Sequence, residues 1–191
     1  MIGLVMAGGR GTRMGGGDKK LLLVHKRPVV LCVVAAMKES GCFSSVVAAT
    51  SRNAPNTERL LLENNVATIR TEGAGYVSDL MDVLSKFGQT VLVVSGDLPL
   101  LDSDIVKQIV GMYDGNVWQS FVVTEQFLRS QNMKAEFSLV HQGLRCYYTG
   151  ISIVDAARLS ENIVESRTIL DDQRIALNLN TKEDYSLLQG S

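Results

Sequence analysis

Along the first two-thirds of the chain, short apolar runs alternate with segments in which apolar residues recur every three or four positions. The apolar runs predict four buried strands, at Ile2–Met6, Ser45–Ala49, Val66–Ile69 and Val91–Val94. The periodic segments predict four helices, at Val29–Glu39, Thr57–Asn64, Tyr76–Phe87 and Asp102–Tyr113. Strands that alternate with helices in this way are typical of a mostly parallel sheet with helices on both faces.

The pattern changes after Gly115. Three strand-like segments follow with few helical residues between them, at Val117–Thr124, Glu136–Val140 and Tyr147–Val154. Such a run predicts a small antiparallel extension of the same sheet, and the polar group at 181–184 predicts a capped helix after it. The predicted fold is a single-domain α/β protein, 1–191, built on an open, mostly parallel, Rossmann-like twisted sheet flanked by helices.

The loop after the first predicted strand combines glycine with positive charge. Residues 7–20 contain six glycines and four cations, which are Arg10, Arg13, Lys19 and Lys20. Glycine allows positive φ and a close approach of the backbone, so that successive amide groups can converge on one anion. The basic side chains would neutralise that anion, which indicates a polyphosphate ligand. The alternative is a flexible glycine turn, for which these cations have no use.

Two well-known phosphate loops do not match this segment. A Walker A loop needs a Gly-Lys pair followed by Ser or Thr, and the sequence contains no Gly-Lys pair. A dinucleotide-binding fingerprint would place its third glycine at position 14, where Met14 is too large for close packing of a helix on a strand. The loop therefore belongs to another class of phosphate site.

The bulk composition removes several classes of partner. The chain has 191 residues and a net charge of −1, so its overall charge attracts neither nucleic acid nor an anionic membrane. Its three cysteines, Cys32, Cys42 and Cys146, are odd in number and lack C-x-x-C spacing, which favours reduced thiols over disulfides or a zinc site. The longest apolar run, Val29–Met37, is too short to cross a bilayer. We therefore expect a soluble, cytoplasmic protein.

The glycine loop also resembles a known signature. The string Ala-Gly-Gly-Arg-Gly-Thr-Arg-Met-Gly-Gly-Gly-Asp-Lys at 7–19 is similar to that of nucleotidyltransferases, which join an NTP to a phosphorylated acceptor and release pyrophosphate. The resemblance implies the nucleotide-diphospho-sugar transferase fold, with an NTP-binding half at 1–114 and an acceptor-binding half at 115–191. It implies a nucleotide-binding set made of Ala7, Gly8, Gly9, Arg10, Gly11 and Thr12. It also implies that Arg13 and Lys19 are catalytic, with Lys19 at the position of the family's catalytic lysine.

A carboxylate follows the strongest predicted strand. Asp97 comes directly after the run Val91–Gly96, at the edge of the sheet where ligands of open α/β folds gather. Carboxylate oxygens suit Mg²⁺, which also bridges phosphates, so Asp97 is predicted to be a metal ligand and a catalytic residue. The alternative is a turn initiated before Pro99. By resemblance, Asn180 in the string Asn-Leu-Asn-Thr at 178–181 would approach the same metal, and capping of a helix is its alternative role.

A second glycine string narrows the resemblance. Residues 72–80 read Glu-Gly-Ala-Gly-Tyr-Val-Ser-Asp-Leu, which looks like the archaeal GTP:adenosylcobinamide-phosphate guanylyltransferases within the NTP-transferase superfamily. This resemblance implies GTP, Mg²⁺ and a phosphorylated small-molecule acceptor as partners, and it leaves a homodimer open. It implies contacts to the nucleotide from Ser51, Gly73, Gly75, Tyr76 and Asp79, and a contact to the acceptor from Gly150. Asp79 would accept from guanine N1–H and N2–H₂, or would be a solvated helix residue.

Other hypotheses stay open at this point. Residues Met14–Lys19 also resemble the molybdopterin guanylyltransferases, and a module that binds an NTP without turnover is a third possibility. Trp118, Tyr147 and Tyr148 would offer flat surfaces to a large acceptor, or would be core residues of strands. In either transferase, an ionised acceptor phosphate would attack the nucleotide, so no dedicated general base is expected.

Overall fold

The structure is a computed structural model that describes residues 1–9, 23–24, 26–160 and 163–179, together with positions 184 and 188. Its strands are β1 (Ile2–Met6), β2 (Leu23–Val24), β3 (Arg27–Pro28), β4 (Ser45–Ser51), β5 (Ala67–Thr71), β6 (Thr90–Ser95), β7 (Trp118–Thr124), β8 (Ser138–His141), β9 (Leu144–Asp155) and β10 (Glu165–Ile169). Its helices are α1 (Val29–Glu39), α2 (Pro55–Glu63), α3 (Tyr76–Leu84), α4 (Ser103–Gly111), α5 (Glu125–Ser130) and α6 (Gln173–Ala176). No helix in the described ranges has both the length and the apolar character needed to cross a membrane.

Among the described residues, eight strands form a mixed sheet. Seven of them follow the order β10-β7-β9-β6-β1-β4-β5, and β8 pairs with β9 beside that path. β1 pairs in parallel with β4 and β6, and β4 pairs in parallel with β5. β9 runs antiparallel to β6, β7 and β8. The predicted α/β fold with an antiparallel extension is confirmed, and β10 adds a parallel pairing with β7 that the sequence pattern does not predict.

Helices pack on both faces of the sheet because side chains along each strand alternate between the two faces. On β1, Leu4 and Met6 lie in an apolar cluster with Leu80 of α3. Val5, between them, belongs to the larger cluster that holds the buried side chains of α1 and α4. α3 packs against β4 and β5 on one face of the sheet. On that same face, no α-helix among the described elements covers β9, β7 and β10.

The sequence pattern misses five short elements, which are β2, β3, α5, β10 and α6. β10 reads Glu-Ser-Arg-Thr-Ile and is half-buried along its whole length, so it contains no apolar run. α6 has four residues, which is too short for helical periodicity to show. The helix predicted after 181–184 falls mostly on positions outside the described residues.

The α6 segment is joined to α4 by a shared arginine. Arg174 donates to Asp102 (Nη1···Oδ2, 3.1 Å) and to Asp172 (Nη2···Oδ2, 2.6 Å). Asp102 also caps α4, because its Oδ1 accepts from the N–H groups of Asp104 and Ile105. Burial raises the pKa of Asp102, but the Ile105 N–H and Arg174 outweigh it and the net shift is downward. The hydrogen bond from Arg174 lowers the pKa of Asp172 against the opposing effect of burial.

We expect Arg174→Ala to lower the free energy of unfolding by about 1 to 2 kcal/mol at neutral pH, between the values for exposed and buried ion pairs. The native pKa values of Asp102 and Asp172 lie below their unfolded values. This stability is therefore present above about pH 4 and is lost as the pH falls through the native pKa values, where variant and wild type should converge.

Urea unfolding at a series of pH values would measure this difference. Arg59→Ala is the matched control, because Arg59 forms an exposed pair with Glu63 at 4.0 Å. The control should change the free energy of unfolding by less than about 0.5 kcal/mol. Equal losses in the two variants would contradict a special role for Arg174.

Candidate active site

The carboxyl ends of β1, β4, β5 and β6 meet at one edge of the sheet and border a cleft of about 1120 Å³. From this edge the cleft continues over the face of β9, β7 and β10. The predicted site residues that border it are Gly8, Gly9, Gly73, Gly75, Tyr76, Asp79, Asp97 and Gly150. Parallel strands thereby bring residues from distant parts of the chain into one site.

Backbone contacts fix the start of the first glycine loop. The Ala7 N–H donates to the Ala49 carbonyl at 2.8 Å, and the Ser51 hydroxyl donates to the Gly8 carbonyl at 2.7 Å. A β-carbon at Gly8 would lie 3.1 Å from Cβ of Ser51, so a side chain there would press on Ser51. Ala7 and Ser51 are fully buried and do not border the cleft. Ala7 and Ser51 therefore support the backbone of the loop from behind, and their side chains do not face the cleft as a direct nucleotide contact would require.

The second glycine loop is anchored by Asp79. Oδ1 of Asp79 accepts from the Gly73 N–H at 3.1 Å and from the Ala74 N–H at 3.2 Å. Oδ2 accepts no hydrogen bond from the described residues, so it is the oxygen available to a ligand. Asp79 is therefore more than a solvated helix residue, because its Oδ1 holds the loop. It also cannot accept from a guanine with both oxygens unless the loop is released.

Asn53 holds the same loop from the other side. Its Nδ2 donates to the Gly73 carbonyl at 3.1 Å, and Gly73 has a φ of +70°. The positive φ favours glycine here, and a β-carbon at Gly73 would lie 2.2 Å from Nδ2 of Asn53, so a side chain would also displace the Asn53 amide. Asn53 borders the cleft and is a site residue that the sequence analysis misses. Its signal is the short polar loop that follows the second predicted strand.

Tyr76 begins α3 and borders the same cleft as Asp97. Burial of its hydroxyl, followed by the charge of Asp97, raises the pKa of Tyr76 to about 12. The residue as a whole is 51% exposed, so the hydroxyl end is enclosed while much of the ring stays open to the cleft. At neutral pH the phenol remains protonated and can donate a hydrogen bond.

Asp97 is 3% exposed and still borders the cleft. Its Oδ1 accepts a hydrogen bond from the Ser95 hydroxyl, and its carbonyl accepts from the Leu179 N–H at 3.0 Å. The segment after α6 is therefore joined to the end of β6. In that segment, Asn178 donates from Nδ2 to the Thr149 carbonyl at 3.3 Å, whereas its buried Oδ1 accepts no hydrogen bond from the described residues.

These oxygens fit a hard divalent cation such as Mg²⁺. Asp97 supplies a carboxylate, and Asn178 supplies an amide oxygen with unused hydrogen-bonding capacity. Within the described ranges, no group of three or more His, Cys, Asp or Glu side chains is placed to hold a metal. A metal here would rest on few protein ligands and on the phosphates of its nucleotide.

Several predicted site residues lie outside the part of the chain that the structure describes. They are Arg10, Gly11, Thr12, Arg13, Lys19 and Asn180. Their predicted contacts with phosphates and metal stay predictions. The described chain reaches the residues next to them, since Gly9 borders the cleft and Leu179 bonds to Asp97.

Beyond Asp97, the cleft is floored by β9, β7 and β10. Gly150 has a φ of +79°, and a β-carbon there would lie 3.1 Å from Cβ of Ser95, so bare backbone of β9 passes close to the end of β6. Trp118 and Tyr148 border this half of the cleft. Tyr147 packs against the larger core cluster. Two of the three candidate aromatic residues thus border the cleft.

Other polar residues that border this half are not predicted by the sequence pattern. They are Ser120, Lys134, Glu136, Ser152 and Glu165. The one signal for them is alternation along the last long predicted strand, because Tyr148, Gly150 and Ser152 share one face. β10 offers no comparable signal.

The sequence matches the family model described as the MobA-like NTP transferase domain over residues 3–148. The chain belongs to this family. The matched region of this MobA-like chain includes both glycine loops and Asp97, and it ends at Tyr148. The predicted place in the NTP-transferase superfamily is confirmed.

Two curated relatives are similar to part of the chain. Adenosylcobinamide-phosphate guanylyltransferase from Methanocaldococcus jannaschii is 37% identical over 118 residues, which are 59% of this chain and 60% of that protein. Molybdenum cofactor guanylyltransferase from Shewanella sediminis is 29% identical over 115 residues, which are 58% of this chain and 56% of that protein. The MobA-like chain therefore matches less than two thirds of the length of these relatives.

Solved structures support the fold. A hypothetical transferase from Thermus thermophilus superposes with a TM-score of 0.73 at 16% identity, over 96% of this chain and 98% of that one. A nucleotidyl transferase from Methanothermobacter thermautotrophicus superposes with a TM-score of 0.66 at 18% identity, over 100% of this chain and 98% of that one. At these identities the likeness concerns the fold alone.

We expect Asp79→Ala to weaken binding of ATP by about tenfold, because the Gly73 and Ala74 N–H groups lose their shared acceptor. Binding of GTP should weaken by more than that, because a guanine N–H also loses Oδ2 of Asp79 as its acceptor. Calorimetric titration with each nucleotide would measure the change. Asp82→Ala is the matched control, since Asp82 lies on the same helix and only pairs with exposed Lys86. Unchanged affinity of Asp79→Ala for both nucleotides would show that the loop does not depend on this carboxylate.

Proposed function

We propose that the MobA-like chain is a guanylyltransferase that moves GMP from GTP onto the phosphate of adenosylcobinamide phosphate and releases pyrophosphate. One observation carries the proposal. Asp97 lies at the end of β6, between a half of the cleft built on β1, β4 and β5 and a half floored by β9, β7 and β10. A reaction that joins a nucleotide to a second phosphorylated molecule needs two compartments that meet at the reacting phosphates.

The half with the glycine loops suits the nucleotide. Gly8 and Gly9 bring backbone to the cleft, and the loop held by Asp79 and Asn53 brings backbone to it a second time. Oδ2 of Asp79 is the acceptor proposed for a guanine N–H, which adenine cannot supply at the same ring position. By resemblance, the phosphates would be surrounded by Arg10, Gly11, Thr12, Arg13 and Lys19.

The chemistry follows from positioning and charge. An oxygen of the acceptor phosphate forms a bond to the α-phosphorus of GTP, while the bond from that phosphorus to the pyrophosphate oxygen breaks. A phosphate monoester has a second pKa of about 6 and is largely ionised at neutral pH. The attacking oxygen therefore needs no general base to remove a proton. Lys19 and Arg13 would stabilise charge on the phosphates. Mg²⁺, held by Asp97 with Asn178 or Asn180, would supply further neutralisation.

Two observations favour a cobinamide acceptor. The relative with 37% identity carries that acceptor in its name, and its identity exceeds the 29% of the molybdenum cofactor enzyme. The acceptor half is a broad, open sheet face with the rings of Trp118 and Tyr148, which suits a large ring system. Molybdopterin is the second candidate acceptor, supported by the molybdenum cofactor relative.

We further propose that the protein works in the cytoplasm, where its cysteines remain thiols.

Pyrophosphate release with GTP, ATP, CTP and UTP, each paired with adenosylcobinamide phosphate and with molybdopterin, tests the proposal. We expect turnover with GTP and adenosylcobinamide phosphate, because the two halves of the cleft select both partners. Turnover with the pterin alone would transfer the assignment to the second candidate. Preference for a pyrimidine nucleotide would contradict guanylyl transfer. Nucleotide binding without turnover of either acceptor would indicate a non-catalytic module.

We expect Lys19→Ala to lower kcat for pyrophosphate release by about 10² to 10³, as other losses of charge stabilisation at a reacting group do. Steady-state kinetics with saturating GTP would measure the loss. Lys38→Ala, which removes a cation from the last turn of α1, is the control and should retain wild-type kcat. Wild-type turnover by Lys19→Ala would remove this residue from the mechanism.

A further inference from the structure

A hydrogen-bonded group of three side chains lies in the acceptor half of the cleft. Glu165 and Arg167 of β10 pair with each other, and their side chains are 24% and 31% exposed. The Tyr148 hydroxyl of β9 donates to Oε2 of Glu165 at 3.0 Å and accepts from Nε of Arg167 at 3.3 Å. The group spans β7, which separates β10 from β9. The proposed phosphate chemistry gives it no role, and Glu165 and Arg167 lie beyond the region that the family model matches.

The group uses only one oxygen of the Glu165 carboxylate. Oε2 accepts from both Tyr148 and Arg167, whereas Oε1 accepts no hydrogen bond within the described part of the chain. Glu165 borders the cleft, and Arg167 does not. Tyr148 and Arg167 thus both hold the carboxylate through Oε2, and Oε1 is the oxygen of this cleft residue that stays available to a ligand. An oxygen in this position can accept a hydrogen bond from water or from an N–H group of a ligand that displaces the water.

We propose that Glu165 recognises an N–H donor on the ring system of the acceptor, with Tyr148 and Arg167 as positioning residues that fix its carboxylate. The inference rests on the proposed function, because that function assigns the acceptor to this half of the cleft. Trp118 lies opposite Glu165 in the register of β7 with β10 and borders the cleft beside it. The ligand is a large ring system with a primary amide or amino group at its edge. Both a corrinoid carboxamide and a pterin amino group have this chemistry.

Glu165→Gln tests the proposal because it changes the group that faces the cleft and keeps its size. Tyr148 and Arg167 both donate, so the glutamine oxygen turns toward them and the NH₂ group turns toward the cleft. The acceptor on the cleft side then becomes a donor and opposes the donor of the ligand. We expect binding of the acceptor molecule to weaken about 10- to 100-fold, with unchanged affinity for GTP.

The measurement is equilibrium binding of adenosylcobinamide phosphate and of molybdopterin to wild type and Glu165→Gln. Both are loaded with a GTP analogue whose α–β bond cannot be cleaved, and pyrophosphate kinetics with GTP are recorded in parallel. A loss confined to the corrinoid supports the proposal and identifies its carboxamides as the donor. A loss confined to the pterin supports it and identifies the amino group.

Glu125→Gln is the matched control. Glu125 also faces two arginines, Arg129 at 3.2 Å and Arg145 at 3.8 Å, but it does not border the cleft. This variant should bind both acceptors as wild type does. A loss in Glu125→Gln equal to that in Glu165→Gln would overturn the proposal, because the effect would not depend on the cleft.

The kinetic readout separates recognition from a structural role. A raised KM for the acceptor, with kcat and the KM for GTP unchanged, supports recognition. A lower melting temperature with an unchanged acceptor KM would overturn it, and so would wild type that binds neither acceptor. Failure of the proposed function alone would give a different result. Wild type would then bind an acceptor more tightly than Glu165→Gln does, which supports recognition by Glu165, but would release no pyrophosphate.

Discussion

The pairing of β1 with β4 on one side and with β6 on the other determines where the elements of the cleft lie. Because the three strands are parallel, Gly8, Ser51 and Asp97 emerge at the same edge of the sheet. Backbone contacts then cross that edge, as where the Gly96 N–H donates to the Met6 carbonyl at 3.0 Å. A shift of one residue in β1 would turn its side chains to the wrong faces and would move the glycine loop away from Asp97.

The site places a buried carboxylate at the centre of the cleft, and surrounding contacts compensate for its burial. Asp97 receives the Ser95 hydroxyl on its side chain and the Leu179 N–H on its backbone. The segment that brings Leu179 to this position follows α6, which Arg174 ties to the first turn of α4 through Asp102. An ion pair outside the cleft therefore helps to hold the chain that closes one side of it.

The half of the cleft beside the glycine loops could be predicted from sequence, because its residues lie in contiguous strings beside long apolar strands. Gly8 and Gly73 are recognisable from their neighbours alone. The half floored by β9, β7 and β10 could not be predicted in the same way, because Glu165 meets Tyr148 only through the pairing of strands, and β10 has no apolar run. Asp79 is an intermediate case. Its position beside the second glycine loop could be predicted from sequence, but the anchoring of that loop by Oδ1 depends on local geometry.

β9 has 12 residues, and it pairs with β8 and then β6 along one edge and with β7 along the other. β9 thus lies at the boundary between the two halves of the cleft, the one beside the glycine loops and the one floored by the outer strands. Neither β7 nor β10 pairs with β6, so changes on these outer strands can reshape the floor without altering the pairing of β6 with β1 that positions Asp97. Under the proposed function, such an architecture would let relatives differ in the acceptor they take while the strands beside the glycine loops stay the same.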